Sequence, residues 1–431
     1  MDISILIPSR NEIWLNRTLE SIFKASEADT EAIVVLDGDF PKELPPIHPK
    51  LTVVYLPKSI GQRAATNLAA KLSKAKYLAK SDAHMDFSPG FDRILMEDMQ
   101  DDWITAPTMR NLHAFDWVCP DGHRRYQGPS GPCSNCKRCG HVEGKHGQKK
   151  LDKGVCDKYK ACGKPTKMDV VWKAKDSPKS RSFLFDAEPH FQYFGEYTKR
   201  PEFLAAGDLT ESMSLQGSFF MMTRKRYWDL NISDEKFGSW GSQGVEISCK
   251  NWGTGGRVII NNRCFYAHLF RTQGGDFSFP YPQQHSKVLK GREYARKIFY
   301  DSGWKKLIYP LSFMLEKFWP IPGWTDADYL KQKNRELRTT RSGIYTIENV
   351  ITGDIFVFSA PNIWEDAVRQ EYLLRQVEHP NSELQRIFTK ETEGQFRWHV
   401  EMFCRESTLP KFLKEYKDKA INGLIKHPRI G

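Results

Sequence analysis

No stretch of this 431-residue sequence approaches the roughly 18 to 20 consecutive apolar residues that a membrane helix requires. No secretory leader is expected either, because the first apolar run starts at Ile3 and has the β-branched make-up of a buried strand. Both absences predict a membrane-free enzyme of the cytoplasm. Cysteine is scarce over most of the chain: of nine cysteines, only Cys249, Cys264 and Cys404 lie outside the stretch from Cys119 to Cys162. A disulfide framework spread over the fold is therefore excluded, and local clustering in a chain without an export signal points to metal ligation. Negative charge is also in short supply, with 53 Asp and Glu against 64 Lys and Arg, a net charge of +11. That surplus suits a polyanionic partner and equally a simple solubility margin. The length exceeds what one hydrophobic core serves, so two or three domains are expected.

What is present begins with an alternation of strands and helices. "ISILIP" at residues 3–8 reads as a buried strand, and Leu15, Leu19, Ile22 and Phe23 then recur at helical spacing. "AIVVLD" (32–37) and "LTVVYL" (51–56) repeat the strand signal, "GQRAATNLAAKL" (61–72) carries a helical stripe, and Tyr77–Lys80 is a further short strand running into "SDAHMDF". This order implies a parallel sheet in an α/β domain with ligands at the carboxyl ends of its strands. Asp37 and Asp82 both fall there. Either alone reads as a turn or cap carboxylate; two at successive strand ends point to a shared site. The helix after the first strand would aim its N-terminus at the same edge, where phosphate is favoured.

"SILIPSRNE", "VVLDGD", "GQRAATNLA" and "SDAHMDF" resemble the successive nucleotide-sugar motifs of family 2 and family 27 glycosyltransferases. "GSFFMMTRKRYWDL", "FGSWGSQGVEISCKNWGTGG" and "FYAHLFR" are similar, in order and spacing, to the polypeptide N-acetylgalactosaminyltransferases. The resemblance implies a GT-A, Rossmann-like nucleotide-sugar domain over residues 1–275 and a UDP-sugar donor. It also implies a divalent cation, Mn²⁺ or Mg²⁺, on Asp82, His84 and His268, since carboxylate with imidazole suits Mn²⁺. On the same basis Pro8, Arg10, Glu12, Asp37, Gly61, Arg63, Asn67, Ser81, Asp82, Gly217, His268 and Arg271 border the nucleotide sugar. Gln216 and Ser218 flank the sugar pocket, and Trp240, Gln243 and Glu246 join Asp82 and His84 as catalytic candidates. For His268 a satisfied core histidine, for Arg63 a solvated helix residue and for Glu246 a local helix pair are the plain alternatives. One departure matters. Where inverting enzymes of family 2 carry an acidic pair that includes the base, this chain has Gln243 and Gly244. Retention of configuration is the expectation, with the departing diphosphate taking the acceptor proton. A transferase that only binds its nucleotide or sugar is the harsher reading of the same residues.

The expected domain is interrupted by a segment, residues 113–166, that contains Cys119, Cys133, Cys136, Cys139, His141, Cys156 and Cys162 among Gly, Lys, Arg and Pro. So little apolar content builds no core, and paired C-x2-C spacing lets thiolates share a tetrahedral structural Zn²⁺. The segment is basic ("HRR", "KR", "KHGQKK") and follows the strand leading toward the acceptor side in the resembled family. It reads as a flap for a polyanionic acceptor or as a plain loop staple.

Residues 276–341, aromatic and basic, read as a helical connector. From Ser342 to Gly431 the chain resembles a GIY-YIG endonuclease domain, of small α+β type, through Gly343-Ile344-Tyr345, "TGDIFVFSAPNI" and Glu401. The resemblance is degenerate: Phe356-Val357-Phe358 stands at the second tripeptide and Asp366 at the nuclease arginine, an exchange that removes the phosphate-polarising cation. A DNA-binding module, an interaction platform and an unrelated small domain all remain open. Positive charge, the zinc-held flap and the nuclease-like domain together favour DNA as acceptor. An unmodified base offers no hydroxyl in the major groove, so a 5-hydroxymethylcytosine or 5-hydroxymethyluracil of the kind found in phage genomes is the expected substrate, reached by base flipping. A phage-encoded enzyme would then work in the host cytoplasm. Protein or surface-glycan transfer is the alternative, and a non-catalytic DNA-binding protein the second.

Overall fold

Seven residues buried without a break, Ile3–Ser9, form strand β1. Such a run, apolar on both faces, belongs in the middle of a sheet covered on both sides. In the computed structural model β1 lies between two parallel neighbours, β2 (Thr30–Asp37) and β4 (Tyr77–Ser81), and β3 (Leu51–Leu56) follows β2 at the sheet edge. Helix α1 (Leu15–Ala25) buries Leu15, Leu19 and Ile22 along one face, and α2 (Gln62–Leu72) buries Ala65 and Ala69. Each fully buried aliphatic side chain of this kind contributes about 1.5–3 kcal/mol. The structure describes residues 1–119, 121–128, 167–239, 241–270, 279–281, 285–301, 303–304, 306–307, 309–337, 342–390, 396–403 and 409–425.

The remaining strands make the sheet mixed. In chain order they are β5 (Met85–Phe87), β6 (Trp103–Val118), β7 (Arg124–Tyr126) and β8 (Lys167–Ser180). A small hairpin, β9 (Phe183–Phe185) with β10 (Phe191–Tyr193), stands apart, and β11 (Leu209–Glu211), β12 (Phe219–Thr223) and β13 (Arg257–His268) complete the set. The order is β11-β13-β6-β12-β4-β1-β2-β3, with β5 on β13 and both β7 and β8 on β6. Strand β12 runs antiparallel to β4, and the pairing continues past the strand end through the Asp82 N–H, which donates to Ser218 O at 2.9 Å. The expected strands and helices of the first 81 residues are all present, and the all-parallel expectation holds only for β1–β4 and the β6–β13 pair. Residue 113, the expected start of the cysteine-rich insertion, falls inside β6, so the segment as far as Tyr126 is strand and hairpin of the main sheet. Among the described residues no helix is long and apolar enough to cross a membrane.

By contacts the chain divides into one unit comprising Met1–Lys297 with Phe318–Gly323 and a second comprising Ile298–Lys317 with Trp324–Gly431. Residues 276–341, the expected connector, are thus shared between the two. The second unit contains an antiparallel sheet of β14 (Gly343–Asn349) between β15 (Ile355–Ala360) and β16 (Phe396–Phe403). Its core gathers Tyr345, Ile347, Ala360, Ile363, Leu374 and Leu384.

Candidate active site

The carboxyl ends of β1 and β4 open onto a cavity of about 180 Å³ lined by Pro8, Arg10, Glu12, Gln62, Asp82, Ala83, His84, Gln216, His268, Leu269, Phe270, Phe279, Pro280 and Tyr281. Three elements deliver its central group. Asp82 directly follows β4, His84 lies in the short turn before β5, and His268 ends β13, which pairs with β5 at His268↔Met85. The His84 and His268 Nε2 atoms are 3.1 Å apart, and Asp82 Oδ2 lies 3.2 Å from His268 Nε2 and 4.0 Å from His84 Nε2. Adjacent donors on an octahedral ion with bonds of about 2.1 Å sit roughly 3.0 Å apart. The donor set and two of its three spacings therefore fit a Mn²⁺- or Mg²⁺-type cation.

The surroundings prepare these atoms. Glu12 Oε2 lies 2.8 Å from His84 Nδ1, while Oε1 accepts from the Trp14 N–H at 3.0 Å. A carboxylate on Nδ1 keeps the proton there and leaves Nε2 with its lone pair free for a ligand. Lys80, almost completely buried, pairs with Asp82 Oδ1 and donates to Gly217 O at 2.8 Å. This ties one oxygen of Asp82 and leaves Oδ2 toward the histidines. Burial raises the Asp82 pKa, but Lys80 and the His268 hydrogen bond outweigh it and hold the carboxyl well below the usual range. Burial is the main influence on His268 and lowers it to about 4 against the opposing pull of Asp82, so the imidazole is neutral near pH 7. Lys80, too, is pushed down by burial, with Asp82 opposing. Lys80 and Gln62 were missed in the sequence; the available signal was a lysine inside an otherwise apolar strand, directly before the Ser-Asp pair.

Pro8, Arg10 and Glu12 line the cavity, and the buried Arg10 Nε has no hydrogen-bond partner among the described residues. Ser81 ends β4, its hydroxyl donating to Asp82 O at 2.9 Å. Gln216 Oε1 accepts from the Ser218 N–H at 2.7 Å, and Gly217 packs so closely on Gln243 that a Cβ there would come within 2.8 Å of Oε1. Gln243 is buried at the start of α3 (Gln243–Trp252), and its Nε2 has no hydrogen-bond partner among the described residues.

Four expected site residues are already engaged by partners within the protein. Asp37 is fully buried, and its two oxygens accept from the Ile60 N–H (2.6 Å), the Gly61 N–H (3.0 Å) and the Ser59 hydroxyl (2.8 Å). It anchors the turn into α2, where Gly61 adopts φ +97°, a backbone that side chains resist. Arg63 (1 % exposed) pairs with Glu246 (0 %) at 3.0 Å and donates to Gly241 O at 2.9 Å. The second Glu246 oxygen accepts from the Asp234 N–H and from Lys250 Nζ, at 2.8 and 2.9 Å. Asn67 donates to Ser233 O and Glu235 and accepts from the Tyr227 hydroxyl. None of these four lines the cavity. Trp240, Arg271, Cys133, Cys136, Cys139, His141, Cys156 and Cys162 lie outside the described residues.

Residues 4–116 match the family model for glycosyl transferase family 2. The first part of the larger unit is thus similar to family 2 glycosyltransferases, and its sheet with the helices around it is mixed α/β. Among solved structures, GalNAc-T7 with UDP, GalNAc and Mn²⁺ is similar at 14% identity and a TM-score of 0.46, over 84% of this chain and 65% of that one. The chain thus spans just under two thirds of that protein's length. The catalytic domain of the intron endonuclease I-TevI is similar over 19% of this chain and 88% of that one, at 23% identity and a TM-score of 0.18; a variant of it gives 22% identity, 84% coverage and the same score. No curated protein matches the chain.

In the second unit Tyr345, Asp366 and Glu401 have hydrogen-bond partners within the protein. The Tyr345 hydroxyl donates to Asp366 at 2.7 Å, Gln370 donates to the same oxygen at 3.3 Å, and Thr346 donates to Glu401 at 2.7 Å.

Proposed function

We propose that the protein is a metal-dependent glycosyltransferase that moves a sugar from a UDP-sugar, with retention, to a hydroxymethylated pyrimidine base in DNA. The observation that carries the transferase reading is the convergence of Asp82, His84 and His268 in one cavity of a domain whose first part matches family 2. These three side chains would hold Mn²⁺ or Mg²⁺, which, when bound, supplies Lewis-acid stabilisation of the charge on the departing diphosphate. Glu12 orients His84, and Lys80 fixes Asp82 and adds a buried positive charge beside it. Arg10 offers an unused Nε–H from the cavity wall to a phosphate oxygen.

The described carboxylates of the cavity are Glu12, committed to His84 and Trp14, and Asp82, committed to Lys80 and His268. Neither is placed to take a proton from an incoming hydroxyl, and Gln243 cannot. Proton transfer to the diphosphate oxygen, with retention, suits this arrangement. For the acceptor, the net charge of +11 supports a nucleic acid. A structural Zn²⁺ on Cys119 with Cys133, Cys136, Cys139, Cys156, Cys162 and His141 is part of the same reading, as is a DNA-binding role for the degenerate nuclease-like domain.

The test is incubation with UDP-sugars and Mn²⁺ on hydroxymethylated and on plain DNA, followed by digestion to nucleosides and mass spectrometry. A sugar adduct on the hydroxymethylated base alone is expected. Turnover on a peptide or glycan with no adduct on DNA would reassign the acceptor. UDP-sugar binding without turnover on any acceptor would leave a binding protein.

A further inference from the structure

The hairpin from β6 to β7 ends its ladder at Val118↔Arg124 and closes through a turn in which the Cys119 N–H donates to His123 O at 3.1 Å and the Gly122 N–H to Cys119 O at 2.9 Å. Gly122 takes φ +80°, the left-handed conformation that this turn needs. Cys119 and His123 are therefore the cross-strand pair one step beyond the ladder, and side chains opposite one another project on one face of a sheet. Their Sγ and Nδ1 atoms lie 3.5 Å apart. The carboxylate of Asp121, at the tip between them, brings a third donor, and the three ligand atoms all lie within 4.8 Å of one another.

A thiolate at about 2.3 Å and an imidazole nitrogen at about 2.1 Å from one tetrahedral zinc are separated by roughly 3.6 Å. The observed 3.5 Å matches that edge. Thiolate, imidazole and carboxylate together are a donor set that zinc accepts. We propose that Cys119, Asp121 and His123 bind a zinc-type ion at the tip of this hairpin, apart from the Asp82 site. The reading of a structural Zn²⁺ shares only Cys119 with this site; His123 and Asp121 are new ligands. Such an ion would pin the tip of the hairpin with a bond set stronger than the two turn hydrogen bonds.

The full-length protein is purified, its zinc is counted by plasma mass spectrometry, and Co²⁺ is then exchanged in to read the thiolate-to-metal absorption band. His123→Ala should lose about one equivalent of zinc per chain relative to the unaltered protein and weaken the cobalt band. His123→Cys should restore the equivalent and strengthen the band, because a second thiolate replaces the imidazole. Asp82→Asn should leave zinc unchanged. If Cys119→Ser loses zinc while His123→Ala keeps all of it, the structural-zinc reading stands and this assignment falls. Absence of zinc and of a cobalt band in the unaltered protein overturns it, as does His123→Cys failing to recover what His123→Ala loses.

Discussion

Two groups of buried charged side chains in the larger unit look alike by composition and differ in what they leave unsatisfied. Around Arg63, two cations and a carboxylate complete each other: Glu246 accepts from Arg63, Lys250 and the Asp234 backbone. Around Asp82, two imidazole nitrogens and a carboxylate oxygen face one another across 3.1–4.0 Å at the wall of a cavity, each held from behind by a protein partner or a strand end. The first group is closed and serves packing. The second leaves room for one more charge, and a cation is the species that supplies it.

The sharpest way to break this comparison is to remove one member from each group. His268→Ala should cut UDP-sugar turnover by about 10³-fold, roughly 4 kcal/mol of transition-state stabilisation, while the melting temperature changes little. Loss of folding in place of loss of turnover would make the cavity group structural. Glu246→Ala should do the opposite. It leaves Arg63 and Lys250 buried without their shared counter-charge, at a cost of about 3–5 kcal/mol of stability read by thermal or urea denaturation. A variant that stays fully stable but loses turnover would return Glu246 to the catalytic group.

The two groups were unequally legible in the sequence. Asp82 and His84 stand at a strand end, where the alternation of strands and helices places ligands, and the structure confirms that end at Ser81. Their partner His268 lies 186 residues beyond Asp82, and only family resemblance brought the three together. Arg63 and Glu246 sit in motifs of the same resemblance, yet their side chains meet each other across 183 residues. Nothing local distinguishes a helix arginine that faces a ligand from one that faces a distant glutamate, because the choice depends on which face of α2 the long-range packing covers. Gln62, Arg63's neighbour, is the residue of that helix that reaches the cavity. Lys80 was hidden for a related reason: one charged residue in a buried strand reads as the strand's exposed end until a partner such as Asp82 is seen beside it.

The second unit extends the contrast. Tyr345, Asp366 and Gln370 are joined by hydrogen bonds, and Thr346 donates to Glu401, so these side chains have partners within the protein much as Arg63 and Glu246 do. Mutual satisfaction of this sort rigidifies a core.

Glu12 gives the finest test, because it belongs to both descriptions at once. Its side chain is as buried as that of Glu246 and carries two bonds, to the Trp14 N–H and to His84 Nδ1, yet it lines the cavity and acts on a ligand atom across the imidazole ring. In Glu12→Gln a single acceptor oxygen must choose between those two partners, and the amide no longer carries the charge that fixes the His84 tautomer. Metal affinity, measured by Mn²⁺ titration, should weaken by about 10- to 100-fold, with turnover falling in step and recovering at saturating Mn²⁺. Recovery by added metal is the outcome that separates a group acting through His84 from one that merely packs. A stability loss that Mn²⁺ cannot reverse would place Glu12 with Glu246 and narrow the open group to the three ligands themselves.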